Sequence, residues 1–348
     1  MARFDLTRND LGHLLVDEPA YRVTQVWDGL IAGLNPEDIT TLPKALRARL
    51  GADHAVAASL EPALESVSDR GDTTKWLWRL HDGHRIETVL MHYPDRVTVC
   101  VSTQAGCAMG CGFCATGQAG FARQLTVGEI VEQAVRARTR AAASGRRLAN
   151  VVFMGMGEPL ANLDRVEPAV RFIHAELGLS ARHITVSTVG IVPGIRRLAG
   201  IGLPITLAVS LHAADDETRD ELVPINRRYP LAMLADACAE FVQLTGRRLT
   251  IEWALIADVN DTDRQADLLA AWARPLKAHV NLIPLNPTPG YPAMGSSAVR
   301  VVAFADRLLA QGINATVRHN RGTDIAAACG QLAAGAPTTA SVVMGVRR

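Results

Sequence analysis

Val97-Thr-Val-Cys100-Val-Ser-Thr-Gln-Ala-Gly-Cys107-Ala-Met-Gly-Cys111-Gly-Phe-Cys114 sets the terms for the whole chain. Its first half alternates. Val97, Val99 and Val101 share one face of a predicted strand, and Thr98, Cys100 and Ser102 share the other. Its second half sets three cysteines in a C-x3-C-x2-C spacing, with Gly110 and Gly112 freeing the backbone to wrap a bulky inorganic group. The loop follows a strand and precedes a helix, where parallel α/β proteins carry their ligand-binding loops. Structural zinc takes four ligands from C-x-x-C-type pairs, and no second pair occurs. Iron–sulfur clusters take thiolates at short spacings, and three cysteines on a cubane leave one iron open to a small molecule. Buried or incidental thiols are the competing reading of such a motif standing alone.

Outward from this stretch, strands alternate with helix-length segments. The candidate strands are 97–103, 150–154, 183–188, 205–211, 249–256, 279–284 and 314–318. Thr126 and Glu129 form a capping box at the head of an amphipathic stretch to Arg140. This spacing implies right-handed βαβ units and a parallel sheet, open or barrel-like. In 205–212, Ile205, Leu207, Val209 and Leu211 oppose Thr206, Ala208, Ser210 and His212. In 184–187, Ile184 and Val186 oppose Thr185 and Ser187. An ordinary buried parallel sheet is apolar on both faces, whereas a barrel with a polar ligand in its lumen has one small or polar face.

Residues 1 to about 70 read as helical, with apolar periodicity in Tyr21 to Leu34 and Pro43 to Leu50. Trp76 to Leu80, Asp82-Gly83 and Ile86 to Met91 predict a β-hairpin. With 348 residues, 48% hydrophobic and 20% charged, a large core is expected and global disorder is excluded. No run reaches membrane-spanning length, and the first twenty residues have no signal-peptide core, so a cytoplasmic location without membrane association is expected. The charges nearly balance, 36 basic against 35 acidic, which leaves a nucleic-acid partner to local patches. Six cysteines without an export signal point to metal binding or thiol chemistry rather than a disulfide framework.

The cysteine loop resembles that of the radical-SAM superfamily, in which the open iron chelates S-adenosylmethionine. Further stretches are similar to the family of RNA methyltransferases that make 2-methyladenosine in 23S rRNA and tRNA. They are Phe113-Cys-Ala-Thr-Gly-Gln-Ala-Gly120, Gly155-Met-Gly-Glu-Pro-Leu160, Ser210-Leu-His-Ala213, Val223-Pro-Ile-Asn226, Asn281-Leu-Ile-Pro284 and Ala328-Cys-Gly-Gln-Leu332. The resemblance implies an α/β fold, a partial (β/α)6 TIM-like barrel over 97–335. A helical accessory RNA-binding domain (1–70) and a hairpin extension (71–96) would precede it, and a tail (336–348) would follow. It also implies one 4Fe-4S cluster on Cys107, Cys111 and Cys114, and S-adenosylmethionine contacts from Gly157, Glu158, Ser187, Ser210, Leu211, His212 and Asn286. Val189, Leu285 and Gln124 depart from the family's pattern without removing a ligand.

The implied reaction methylates adenosine 2503 of 23S rRNA and adenosine 37 of tRNA at carbon 2, which is not nucleophilic. By resemblance, Cys329 takes a methyl group from one S-adenosylmethionine, and a radical made from a second activates that methyl to bond the base. Cys100 then attacks the Cys329 sulfur, releasing product and leaving a transient disulfide, while Glu87 accepts the carbon-2 proton. The substrate adenosine must leave its stack, and a low-potential donor such as flavodoxin or ferredoxin supplies electrons. From the residues alone, Cys238 is a core residue. The arginine groups at 136–147, 196–197, 227–228 and 247–248 are either phosphate contacts or complements to helix dipoles. Two other readings are kept. One is the related carbon-8 methyltransferase, against which only Gln118 speaks; the other is a non-catalytic iron–sulfur or zinc protein that binds RNA.

Overall fold

The computed structural model describes residues 2–333; the expected tail, 336–348, lies outside the described residues. Helices α1 (Arg8–Leu14), α2 (Tyr21–Ile31) and α3 (Lys44–Gly51) come first, then strands β1 (Glu61–Ser68), β2 (Thr73–Arg79) and β3 (Arg85–His92). Next are β4 (Val97–Cys100), β5 (Gln104–Gly106), α4 (Ala115–Gln118), β6 (Phe121–Gln124), α5 (Val127–Ala143) and β7 (Leu148–Phe153). The alternation continues through α6 (Leu163–Ala175), β8 (Ile184–Thr188), α7 (Val192–Ala199), β9 (Thr206–Ser210), α8 (Asp216–Leu222) and α9 (Leu231–Thr245). It ends with β10 (Thr250–Leu255), α10 (Asp263–Ala273), β11 (His279–Pro284), α11 (Ala298–Ala310) and β12 (Ala315–Val317).

Ten strands form one sheet in the order β1-β2-β3-β4-β7-β8-β9-β10-β11-β12. From β4 onward the neighbours run parallel. Six of these seven strands have four to six residues, and β12, at three, ends the arc. The expected face division is present. Val97, Val99, Val151, Phe153, Ile184, Val186, Leu207 and Val209 are fully buried in the core, each contributing about 1.5–3 kcal/mol by burial. Thr98, Cys100, Asn150, Thr185, Thr206, Thr250 and Asn281 line a common lumen instead. The Thr126 capping box forms on α5, with Glu129 N donating to Thr126 Oγ1 at 3.2 Å and Thr126 N to Glu129 Oε2 at 2.9 Å.

One stretch departs from expectation. Residues 61–68, expected within the helical segment, form β1, paired antiparallel with β2. As an exposed edge strand, with Leu64 42% and Val67 49% accessible, it has no buried face to impose alternation. The register slips between Pro62 and Leu64, where a proline on an edge strand costs no ladder bond. The hairpin of β2 and β3 forms as expected, closed by Leu80 N donating to His84 O at 2.8 Å.

After β12 the chain turns back towards that hairpin. Arg321 Nη1 donates to His92 O at 2.9 Å, Gly322 N to Asp69 Oδ2 at 3.1 Å, and Lys75 Nζ to Ala326 O at 3.2 Å. This return carries Cys329 over the lumen.

Candidate functional site

The cysteine loop lies between β5 and α4, its turn eased by Gly110 at φ +69°. Cys107, Cys111 and Cys114 all line one cavity of about 170 Å³ at the C-terminal ends of the parallel strands. Burial pushes the Cys107 thiol up to about 11 and raises Cys111 further, with the neighbouring cysteines adding to both shifts. Among the described residues, no three His, Cys, Asp or Glu side chains converge tightly enough for a single metal ion. Three thiols around one cavity fit a group whose metal corners stand apart, and that group would relieve the cost of burying them as thiolates.

The same cavity gathers Gly157, Glu158, Ser187, Ser210, His212, Asn286 and Cys329. Gly157 holds φ +98°, and a Cβ there would meet Gln104 Cβ at 2.4 Å, so only glycine fits between the strand end and Gln104. Glu158 accepts from Leu160 N at 3.0 Å and Val189 N at 2.9 Å, and its burial pushes its pKa up to about 7. Ser187 Oγ donates to Phe153 O at 2.7 Å, leaving the hydroxyl oxygen towards the cavity. His212 sits at φ +60° and accepts from Ala254 N on Nδ1 at 3.0 Å, which puts its proton on Nε2. Burial, then Arg219, lowers its pKa to about 3, so it is neutral at working pH. Leu211 is adjacent, but its side chain is fully buried and does not line the cavity. Its backbone is engaged as well, the N–H donating to Glu252 O at 3.1 Å and the carbonyl accepting from Ala213 N at 2.8 Å.

A second cavity, about 370 Å³, continues below the first. Cys100 lines only this lower cavity, whereas Cys329 and Cys114 line both. Cys329 is open to cavity space yet surrounded by protein, which raises its pKa, and Glu252 adds to the rise. Burial also raises Cys100, with the Cys329 charge next in order. Asn286 Nδ2 donates to Cys329 O at 3.0 Å, and Ala115 N donates to Gly330 O at 2.8 Å, fixing the cysteine over the junction.

Glu87 lines neither cavity. Lys75 Nζ stands 2.9 Å from its Oε1, and Ala333 N donates to its Oε2 at 3.0 Å, with both side chains buried. Cys238 is buried in α9, its thiol pushed up to about 12 by burial, and is a core residue.

Three contributors were not singled out from sequence. Arg219 is fully buried and donates to Leu211 O, Val189 O and Asn226 Oδ1 at 3.0, 2.7 and 2.7 Å, bracing the loops around His212. Glu252 faces the lumen, with Asn281 Nδ2 and Thr250 Oγ1 both donating to its Oε1 at 2.9 Å. Lys75 is the third. The alternation of Thr250, Glu252 and Ala254 on a barrel strand carried the signal for Glu252; nothing local marked the other two. Of the arginines raised as phosphate contacts, Arg136, Arg140, Arg196 and Arg197 are paired with Glu132, Glu65, Glu240 and Asp164.

The chain matches the family model described as the Radical SAM superfamily over residues 101–270. It is 52% identical over 345 residues to a probable dual-specificity RNA methyltransferase RlmN of Salinispora tropica, covering 96% of this chain and 92% of that one. A protein of the same description from Corynebacterium efficiens is 50% identical over 325 residues, covering 91% and 88%. Among solved structures, a radical SAM methyltransferase from Sphaerobacter thermophilus superposes with a TM-score of 0.93 at 50% identity, covering 96% of this chain and all of that one.

Proposed function

The chain belongs to the RlmN family of radical-SAM methyltransferases, and from that membership we propose that it methylates carbon 2 of adenosine in RNA. The targets are adenosine 2503 of 23S rRNA and adenosine 37 of tRNA, and the methyl group is carried on Cys329. The observation that carries this reading is the junction of the two cavities: Cys329 opens to both, the cluster cysteines line the upper one, and Cys100 lines the lower.

Cys107, Cys111 and Cys114 would hold one 4Fe-4S cluster, which, when reduced by a flavodoxin- or ferredoxin-like donor, supplies the electron that splits S-adenosylmethionine. Glycine at 157 lets the backbone approach the methionyl group, with Glu158 close behind it. Ser187, Ser210 and Asn286 offer neutral hydrogen-bonding groups, and neutral His212 offers Nε2–H. Leu211, whose backbone pairs with Glu252 and Ala213, holds the strand end that carries Ser210 and His212. These groups orient the sulfonium towards Cys329. The Cys329 sulfur, once deprotonated, displaces the methyl carbon, and the sulfonium leaves as a neutral thioether.

The deoxyadenosyl radical split from a second S-adenosylmethionine takes a hydrogen atom from the carried methyl, the resulting carbon radical bonds carbon 2 of the adenine, and the adduct gives back the electron that began the step. Cys100 then attacks the Cys329 sulfur, so that the sulfur–sulfur bond forms as the sulfur–carbon bond breaks, the bonding pair stays on the carbon and a proton completes the methyl group. Glu87 takes the carbon-2 proton in this reading. To do so it must exchange the Ala333 N–H on Oε2 for the base, which requires the 326–333 segment to shift. A second S-adenosylmethionine is used in each turnover.

Incubation of unmodified RNA with anaerobically reconstituted protein, followed by nucleoside digestion and mass spectrometry, tests the reading. 2-Methyladenosine is expected. 8-Methyladenosine would move the chain to the related carbon-8 activity, and no methylated adenosine would overturn the assignment. The non-catalytic alternative fails if the protein binds about four irons and cleaves S-adenosylmethionine on reduction.

A further inference from the structure

We propose that a third cavity, outside the barrel and between the C-terminal ends of α5 and α6, is a phosphate subsite in which Arg138, Arg146 and Arg147 hold one backbone phosphate of the RNA. The inference rests on the reading above and deepens it by assigning an RNA contact remote from the reacting base. The cavity measures about 620 Å³, within the usual size range of ligand pockets. Arg138 enters it from α5, Arg146 and Arg147 from the turn before β7, and Gly178 from the chain after α6. Buried Val151 and Ile173 give it an apolar floor. Val151 faces this cavity while its neighbours Asn150 and Val152 face the lumen, so the sheet separates it from both barrel cavities.

Among the described residues, no carboxylate lines this cavity. Along α5, Arg136 pairs with Glu132 and Arg140 with Glu65. Arg138, between them, makes no ion pair among the described residues, and its Nη1 is buried without a hydrogen-bond partner there. Arg146 Nη2 and Arg147 Nη2 donate to the carbonyls of Pro94 and Gly178, each at 3.3 Å. The acids that adjoin these contacts in sequence are committed elsewhere. Glu176 accepts from Arg8 and from Trp27 Nε1. Asp95 is held by Arg96 at 2.8 Å, and Arg146 adds only a weaker pull on its charge.

Arginines at a helix end can also serve the helix dipole. Here the last carbonyls of α5 are taken by the backbone: Ala141 O accepts from Ser144 N and Arg146 N, and Ala142 O from Gly145 N. The guanidiniums are left for an acceptor from outside. Three cations over an uncharged floor select an anion, and the planar fork of arginine matches the paired oxygens of a phosphate. Arg138 Nη1, cut off from water, gains most from such an acceptor. An enzyme that methylates RNA meets this group on every nucleotide of its substrate, not only at the base it modifies.

The test measures binding of a labelled hairpin RNA with one unpaired loop adenosine, by fluorescence anisotropy across a salt series. R138Q/R146Q/R147Q is expected to bind about fivefold more weakly. Its plot of log affinity against log salt should be shallower by about 0.7–0.9, the slope of one phosphate no longer neutralised. R138K/R146K/R147K keeps the charges and should recover the slope, which a folding defect would not allow. R196Q/R197Q removes arginines already paired with Glu240 and Asp164 and should bind within about twofold of wild type. Weakening there equal to that of the triple variant would reduce the effect to general charge and overturn the subsite. Wild-type hairpin binding in R138Q/R146Q/R147Q, with calorimetric binding of adenosine monophosphate lost, would give the cavity to a free phosphate ester. Wild-type binding of both would leave the arginines to the helix ends. Either result overturns the RNA contact. Hairpin binding that depends on these arginines, in wild-type protein that forms no methyladenosine, would overturn the functional reading and leave the subsite standing.

Discussion

Replacing Lys75 with methionine is expected to unlatch the segment that carries Cys329. Lys75 Nζ stands 2.9 Å from Glu87 Oε1 and donates to Ala326 O at 3.2 Å, and Glu87 Oε2 accepts from Ala333 N at 3.0 Å. The pair therefore grips the chain three residues before Cys329 and four residues after it. Removing one partner of a buried ion pair strands the other charge and costs about 3–5 kcal/mol. With an unfolding entropy of about 2.1 cal/mol/K per residue, this corresponds to a fall in Tm of about 4–7 °C for a chain of this length if unfolding is cooperative. The Lys75→Met/Glu87→Gln double variant leaves no buried charge and should be more stable than Lys75→Met alone. Thermal denaturation reads the global loss, and limited proteolysis at Arg321 reads the local one. A Lys75→Met protein with a Tm within about 1 °C of wild type and unchanged cleavage at Arg321 would show that this pair does not anchor the segment.

Other consequences follow from the same geometry. His212 is held neutral with a pKa of about 3, against an ordinary value of 6.5. Its contribution is fully present above pH 6.5 and is lost as pH falls towards 3, because the unfolded chain gains the proton first. At pH 5 that loss is about 2 kcal/mol, and a His212→Asn variant should lose less stability than wild type between pH 7 and 5 in denaturant titrations. Substituting serine for Cys107, Cys111 or Cys114 should abolish iron incorporation on reconstitution, read by iron analysis and the brown absorbance. Cys238→Ala should lose about 1 kcal/mol of stability and keep the full iron content. Arg219→Met should strand the Val189 carbonyl and Asn226 Oδ1, costing several kcal/mol and weakening S-adenosylmethionine binding in calorimetry.

Local pattern made much of this molecule legible. Val97 to Ser102 declares a strand with one apolar and one lumen face, and Thr126 with Glu129 declares a helix start; both hold in three dimensions. The β2–β3 hairpin was readable because Asp82-Gly83 interrupts two alternating runs. β1 was not, because an edge strand open to solvent needs no apolar face, and Pro62 and two glutamates blur it further. The cysteine loop was legible from spacing, whereas Arg219 was not, since its acceptors come from three separated loops. Glu87 shows the limit most sharply. Its type and strand were plain, yet its partners come from an adjacent strand and from a backbone N–H 246 residues away. No local reading of sequence carries such a contact.

The proposed chemistry turns on Cys329 carrying the methyl group to RNA and Cys100 releasing it. Intact mass spectrometry of Cys100→Ala and Cys329→Ala proteins, each expressed with host RNA and an intact iron cluster, reads both roles at once. RNA is expected covalently attached to the Cys100→Ala protein and absent from the Cys329→Ala protein. RNA attached to neither, with iron present in both, would rule the methyl-carrier role out.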